Sequence, residues 1–256
     1  MLKYNALVHK FPLYYTPADE ERMIHLYLPD EYDDARSAKV RYPVIYMFDG
    51  HNLFYDSDAT YGKSWGLKDF LDQWYKRVIV VGMECSHTGH DRIKEYCPYR
   101  IKTRFTGEVN GIGDETMQWI VDVVKPHIDS HYRTWSHREA TAIAGSSMGG
   151  MMALYGVLRY NDVFSKSAAV SPAFFDTLPR FLGELSRNTI HPDTRLFMSW
   201  GTEEDYRGWT TKRINRMESA AQKHGIRTWL YNQQGGHHCE ADWETQVPTW
   251  MQFLWL

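Results

Sequence analysis

What most constrains this chain is a succession of short, unbroken apolar runs separated by segments of helix length. The runs are PVIYMF (43–48), VIVVGM (78–83), ATAIAG (140–145), SAAVS (167–171) and RLFMSWG (195–201). A strand with one wet face alternates apolar and polar residues, whereas a strand covered on both faces has no reason to. Alternation is seen earlier, in MIHLYLP (23–29), which predicts a half-buried strand. Between the runs, GLKDFLDQWYK (66–76), DETMQWIVDVVKPHIDSHY (114–132) and TTKRINRMESAAQKHG (210–225) carry apolar residues at helical spacing. The second of these opens on acids, which favour a helix start, and its Pro126 must kink or divide it. RTWLYNQ (227–233) gives a last strand and EADWETQVPTWMQFLWL (240–256) a closing helix. Strand and helix in alternation predict an α/β fold with a mostly parallel central sheet and helices on both faces.

No repeat, low-complexity tract or flexible linker interrupts the pattern, so residues 1–256 read as a single domain, long enough to bury a core without staples. With 29 basic against 32 acidic residues and a net charge of -3, there is no electrostatic footprint for nucleic acid. No run approaches a membrane span, and the first twenty residues lack the apolar core and cleavage site of a signal peptide. Three cysteines, Cys85, Cys97 and Cys239, are too few and too scattered for a disulfide framework or a zinc motif. The expectation is a cytoplasmic protein; self-association into a homo-oligomer stays open. The ten Trp and seventeen Tyr could stack on a ligand, although core packing accounts for such rings as well.

The corner TAIAGSSMGGMMALYG (141–156) passes from a β-type run through small residues into helix formers. In a parallel sheet, ligands sit outside the carboxyl ends of the strands, where this corner falls. Gly145, Ser147 and Gly149 give the spacing G-x-S-x-G. That spacing describes a nucleophile elbow, a serine on a tight strand-to-helix turn whose flanking glycines make room for crowded backbone. Ser146 lacks both glycines, so Ser147 is the candidate nucleophile.

A serine hydroxyl attacks only when a base takes its proton and a third group orients that base. In such an elbow fold the acid and then the histidine follow along the chain. After RLFMSWG come Glu203, Glu204 and Asp205, and after RTWLYNQ comes QGGHHCEADW with His237 and His238. Adjacent histidines point apart and rarely chelate one ion, so no metal site is expected there. The oxyanion of a tetrahedral intermediate needs amide donors. One should be the amide of Met148; the other should come from MFDGHNLF (47–54), with His51 first and Asn52 second.

These segments resemble the putative-esterase branch of the α/β-hydrolases, which includes S-formylglutathione hydrolases, feruloyl and acetylxylan esterases and siderophore esterases. The resemblance rests on YPVIYMFDGHNLF, KPHIDSHYRT, AIAGSSMGGMMALYG, GTEED and HHCEADW, spread from about residue 40 to the C-terminus. It implies an α/β-hydrolase fold without a large cap domain, and a serine carboxylesterase needing neither metal nor organic cofactor. It places the nucleophile on Ser147 and favours Glu204 as the acid, with Asp205 and Glu203 as alternates. The family's histidine commonly precedes a tryptophan by five residues, which favours His238 through Trp243, with His237 as the alternate. ECSHTGHDRIKEYCPYR (84–100) corresponds to a loop of the family's cleft. There Arg92 and Tyr96 are candidate substrate contacts, while an Arg92–Glu95 structural pair is the favoured alternative. The expected partner is a small-molecule ester. Two other functions share the scaffold: an acyltransferase using the same triad, and a non-catalytic carbohydrate-binding relative.

Overall fold

Each apolar run becomes a strand of one sheet. The computed structural model describes residues 8–103 and 107–256. Its strands are β1 (Val8–Tyr15), β2 (Glu20–Tyr27), β3 (Val44–Phe48), β4 (Ile79–Met83), β7 (Thr141–Ser146), β8 (Lys166–Val170), β9 (Arg195–Gly201) and β10 (Arg227–Gln233), in the order β1-β2-β4-β3-β7-β8-β9-β10. Strands β3, β4 and β7 to β10 are parallel, and β1 and β2 join antiparallel at one edge. The short hairpin β5 (Arg100–Thr103) and β6 (Gly107–Asn110) stands apart from the sheet.

Period-two alternation within the central strands divides the core. Val44, Tyr46 and Phe48 of β3 face one layer, with Ile79, Val81 and Met83 of β4 beside them. Ile45 and Met47 face the other, with Val78 and Val80. The first layer holds α3 (Gly113–Trp119), α4 (Lys125–His131), α5 (Met148–Arg159), α6 (Leu178–Arg187) and α7 (Trp209–Lys223); the second holds α1 (Leu67–Gln73) and α8 (Glu240–Trp255). In α5 every residue from Met148 to Leu158 is buried, so the helix behind the corner is a core element.

Three features go beyond the sequence reading. β1 left no clear signal because half of it faces solvent and Pro12 interrupts it, features tolerated on an edge strand. Segment 114–132 is distorted just ahead of Pro126 and not broken: a π-helical turn, Ile120–Val124, joins α3 to α4 with helical dihedrals at both junctions, the Lys125 N–H bonding Ile120 O. Within 84–100 a short helix, α2 (Asp91–Glu95), replaces the expected loop.

From β3 the chain passes to β4 on one side and later returns through β7 on the other. The carboxyl ends of β3 and β7 therefore border the crevice of a topological switch point. No helix among the described residues is long and apolar enough to cross a membrane.

Candidate active site

Ser147 occupies the turn between β7 and α5 with φ 56° and ψ -118°. This is costly backbone for a residue with a Cβ, about 1–3 kcal/mol. Both peptide groups of the turn are tied down. The Ser147 N–H donates to Val170 O at 3.0 Å, and its carbonyl accepts from Met151 and Ala173, each at 3.0 Å. The glycines are required by close approach: a Cβ on Gly145 would lie 2.7 Å from the backbone of Gly149, and one on Gly149 would lie 2.8 Å from Phe48 Cβ. The Ser147 side chain lines a cleft of about 610 Å³ that also contains Asp49, His51, Arg92, His238 and Trp243.

The acidic turn after β9 separates its three carboxylates. Glu203 is exposed. Asp205 caps α7, accepting from the amides of Thr210 (2.8 Å) and Thr211 (3.3 Å) and from the Thr211 hydroxyl (2.6 Å). Glu204 turns inward. Its Oε1 accepts from the Ser171 hydroxyl at 2.6 Å and from the Gly201 amide at 2.5 Å, and its Oε2 bonds His238 Nδ1. Burial works against ionisation of Glu204, but the bonds from His238, Ser171 and Gly201 outweigh it and hold the carboxyl below its ordinary value.

The tandem histidines part in the same way. His237 faces solvent, its amide donating to Asp242 Oδ2 at 2.6 Å and its Nδ1 lying 3.3 Å from that oxygen. His238 packs edge-on against the Trp243 ring, with centroids 4.9 Å apart. The two loops are pressed together: the Glu203 amide donates to Gly236 O at 3.0 Å, and a Cβ on Gly201 would lie 2.0 Å from that same oxygen. With Nδ1–H given to Glu204, the other ring nitrogen of His238 keeps its lone pair. Among the described residues Ser147 Oγ and His238 share the cleft wall without a hydrogen bond between them.

Met148 is the first residue of α5, so its amide has no acceptor within the helix. After β3, Asp49 adopts a left-handed conformation, φ 59°, and starts a 3₁₀ turn over Gly50–Asn52. The Asn52 amide already donates to Asp49 O at 2.8 Å, which removes it as an oxyanion donor. Its side chain is equally engaged, with Thr60 N (2.9 Å) and Glu240 Oε1 (3.3 Å). His51 is buried on the cleft wall, its Nε2 3.0 Å from Thr60 Oγ1.

The residues after β4 differ from expectation. Arg92 does not pair with Glu95. It grips Asp49 through Nε (2.6 Å) and Nη2 (2.7 Å), while Glu95 pairs with Arg22 in a buried ion pair. Burial would neutralise Asp49, but the guanidinium prevails and lowers its pKa. Tyr96 is only 2% exposed, so it is not a substrate contact. Its hydroxyl accepts from the Asp49 amide at 3.2 Å and lies 3.3 Å from Met83 O. Arg92 and Tyr96 thus brace the turn that carries His51, although Arg92 also reaches the cleft wall. Ser171 was not anticipated; its only sequence signal is a hydroxyl residue at the carboxyl end of a buried strand.

Parallel sheet, strained elbow and cleft at the switch point are the arrangement of the α/β-hydrolase fold. The chain belongs to the putative esterase family, whose model matches residues 17–254. It is 26% identical over 192 residues to the uncharacterized protein YbbA of Bacillus subtilis (strain 168), a match covering 72% of this chain and 69% of that protein. It is 29% identical over 151 residues to Esterase Rv1288 of Mycobacterium tuberculosis (strain ATCC 25618 / H37Rv), covering 59% of this chain but 29% of that longer protein. The structure of an IroE-like serine hydrolase from Shewanella oneidensis superposes with a TM-score of 0.73 at 18% identity, covering 97% of this chain and 79% of that one, a likeness of fold.

Proposed function

We propose that the protein hydrolyses small carboxylic esters through an acyl-enzyme formed on Ser147. The observation that carries this is the His238–Glu204 couple opening on the same cleft as the strained elbow serine. Ser147 Oγ attacks the ester carbonyl while its proton passes to Nε2 of His238, and Glu204 steadies the imidazolium. The amides of Met148 and His51 receive the oxyanion; donors of this kind are worth about 3 kcal/mol each in the transition state. The imidazolium then protonates the departing alcohol. A water deprotonated by His238 attacks the acyl-enzyme and releases the acid.

Polar side chains on the cleft wall, among them Thr60, Tyr61 and His87, suit an oxygen-rich ester. All three cysteines are unpaired, in keeping with a reducing compartment such as the cytoplasm. The test is a Ser147→Ala variant assayed on a short p-nitrophenyl ester, with a fluorophosphonate label on the unmodified protein. Turnover should fall by about 10⁴-fold or more and the label should map to Ser147. Equal turnover in the folded variant refutes the assignment.

A further inference from the structure

We propose that His51, Glu84 and His87 form a binding site for one divalent transition-metal ion of the zinc type on the wall of the cleft. Each of the three offers one ligand atom, and these atoms lie within 4.8 Å of one another. Two imidazoles and a carboxylate are a donor set that zinc takes up in open sites, with a fourth position left for water or ligand. Four-coordinate bonds of about 2.1 Å place neighbouring donors about 3.4 Å apart. Glu84 Oε2 and His87 Nε2 already stand 3.2 Å apart. Closing the remaining separation asks for a movement of about 1.5 Å at most, and His87, with a side chain 57% exposed, is free to make it.

The groups behind these donors are arranged as a metal site needs. His25 is buried and holds the other oxygen of Glu84, with Nε2 2.6 Å from Oε1, which fixes the carboxylate and leaves Oε2 toward His87. Thr60 Oγ1 engages Nε2 of His51 at 3.0 Å. The remaining nitrogen, Nδ1, is buried with no hydrogen-bond partner among the described residues, so its lone pair is uncommitted to any protein donor. Supporting partners of this kind orient metal ligands, and their loss typically weakens binding by about 10–100-fold. The rings of His51 and His87 are already in contact, with centroids 4.5 Å apart. No spacing motif announces the cluster, because His51 follows β3 whereas Glu84 and His87 follow β4. His51 and His87 both line the cleft, so a ligand held there is the group placed to take the fourth position.

The experiment is calorimetric titration of the full chain with Zn²⁺, paired with the visible absorption of Co²⁺ in the same site. The unmodified protein should bind one ion per chain. His87→Ala should weaken binding by at least about 10-fold, and His25→Gln should weaken it within the range typical of a supporting partner. His131→Ala removes a member of the stacked surface pair His127–His131 and should change nothing. Ser147→Ala should bind as tightly as the unmodified protein, so the metal site stands or falls separately from the esterase mechanism. The proposal is overturned by the absence of binding at millimolar Zn²⁺. It is also overturned if affinity survives His87→Ala unchanged or follows His131 instead.

Discussion

Ser171 donates its hydroxyl to Glu204 Oε1 at 2.6 Å, and the same hydroxyl oxygen accepts the indole N–H of Trp243 at 3.0 Å. One residue at the end of β8 therefore links the acid on the β9 turn to the ring against which His238 packs. The carboxylate cannot rotate: Ser171 and Gly201 hold one oxygen while His238 holds the other.

Ser171→Ala removes a donor from Glu204 and leaves the buried Trp243 N–H without an acceptor. An orphaned buried donor costs about 1–3 kcal/mol, which urea unfolding should register. Turnover should fall about tenfold with KM unchanged, because Ser171 acts through Glu204 and not on substrate. A kcat within twofold of the unmodified protein would remove Ser171 from the positioning network.

Glu204→Gln keeps the shape of the side chain but replaces the acceptor facing His238 Nδ1 with an amide that can donate. The imidazole then adopts the wrong tautomer or loses its orientation, and kcat should fall on the order of 10³–10⁴-fold. The same variant reports on acid stability. The Glu204 carboxyl is held below its ordinary value, so its stabilising contribution is complete above the unfolded pKa, about 4.3. That contribution fades as pH falls through the lower folded value. The Tm advantage of the unmodified protein over Glu204→Gln should thus be full at pH 7 and shrink below about pH 4. A gap that stays constant from pH 7 to pH 3 contradicts the coupling.

Asp49 is buried and compensated by the forked grip of Arg92. Arg92→Met strands that carboxylate, and breaking a buried pair from one side typically costs about 3–5 kcal/mol. Asp49→Asn in the same chain removes the stranded charge and should recover most of the loss. Urea unfolding of the two single variants and the double variant measures the coupling. Strict additivity would mean that the pair does not hold the turn bearing His51.

The central sheet was legible because strands covered on both faces must be apolar throughout, and β9 and β10 fall at the predicted limits, 195–201 and 227–233. β1 was not, since a half-exposed edge strand with a proline resembles a loop. At the cleft, the sequence brought forward segments that the fold gathers at one place, but not the directions of their side chains. Glu204 and Asp205 are adjacent and chemically alike, yet one turns inward to His238 and the other caps α7. The sequence favours Glu95, three residues on, as the structural partner of Arg92, whereas that partner lies 43 residues back on the β3 turn. Such choices depend on how loops from different strand ends meet, which no local pattern encodes.

Two glycines of α5 offer a controlled comparison of crowding. A Cβ on Gly149 would lie 2.8 Å from Phe48 Cβ and 3.2 Å from Asp49 Oδ2, atoms fixed by the strand and by the Arg92 ion pair. Gly149→Ala must therefore push β3 and its turn away from the elbow, at a typical overpacking cost of about 1–3 kcal/mol. Because the turn proposed to supply the His51 amide to the oxyanion begins at Asp49, kcat should fall together with stability. A Cβ on Gly156 would meet the Ile143 Cδ1 and Met117 Cε methyls at 2.9 and 3.0 Å, both at the ends of flexible side chains. Those methyls can yield, and alanine gains about 1 kcal/mol of helix propensity over glycine. Gly156→Ala should therefore leave stability within about 1 kcal/mol of the unmodified protein and turnover intact. Urea unfolding and ester turnover on the two variants give the answer. Equal effects would mean that the elbow is no more tightly packed against the turn after β3 than the rest of the helix is against the core.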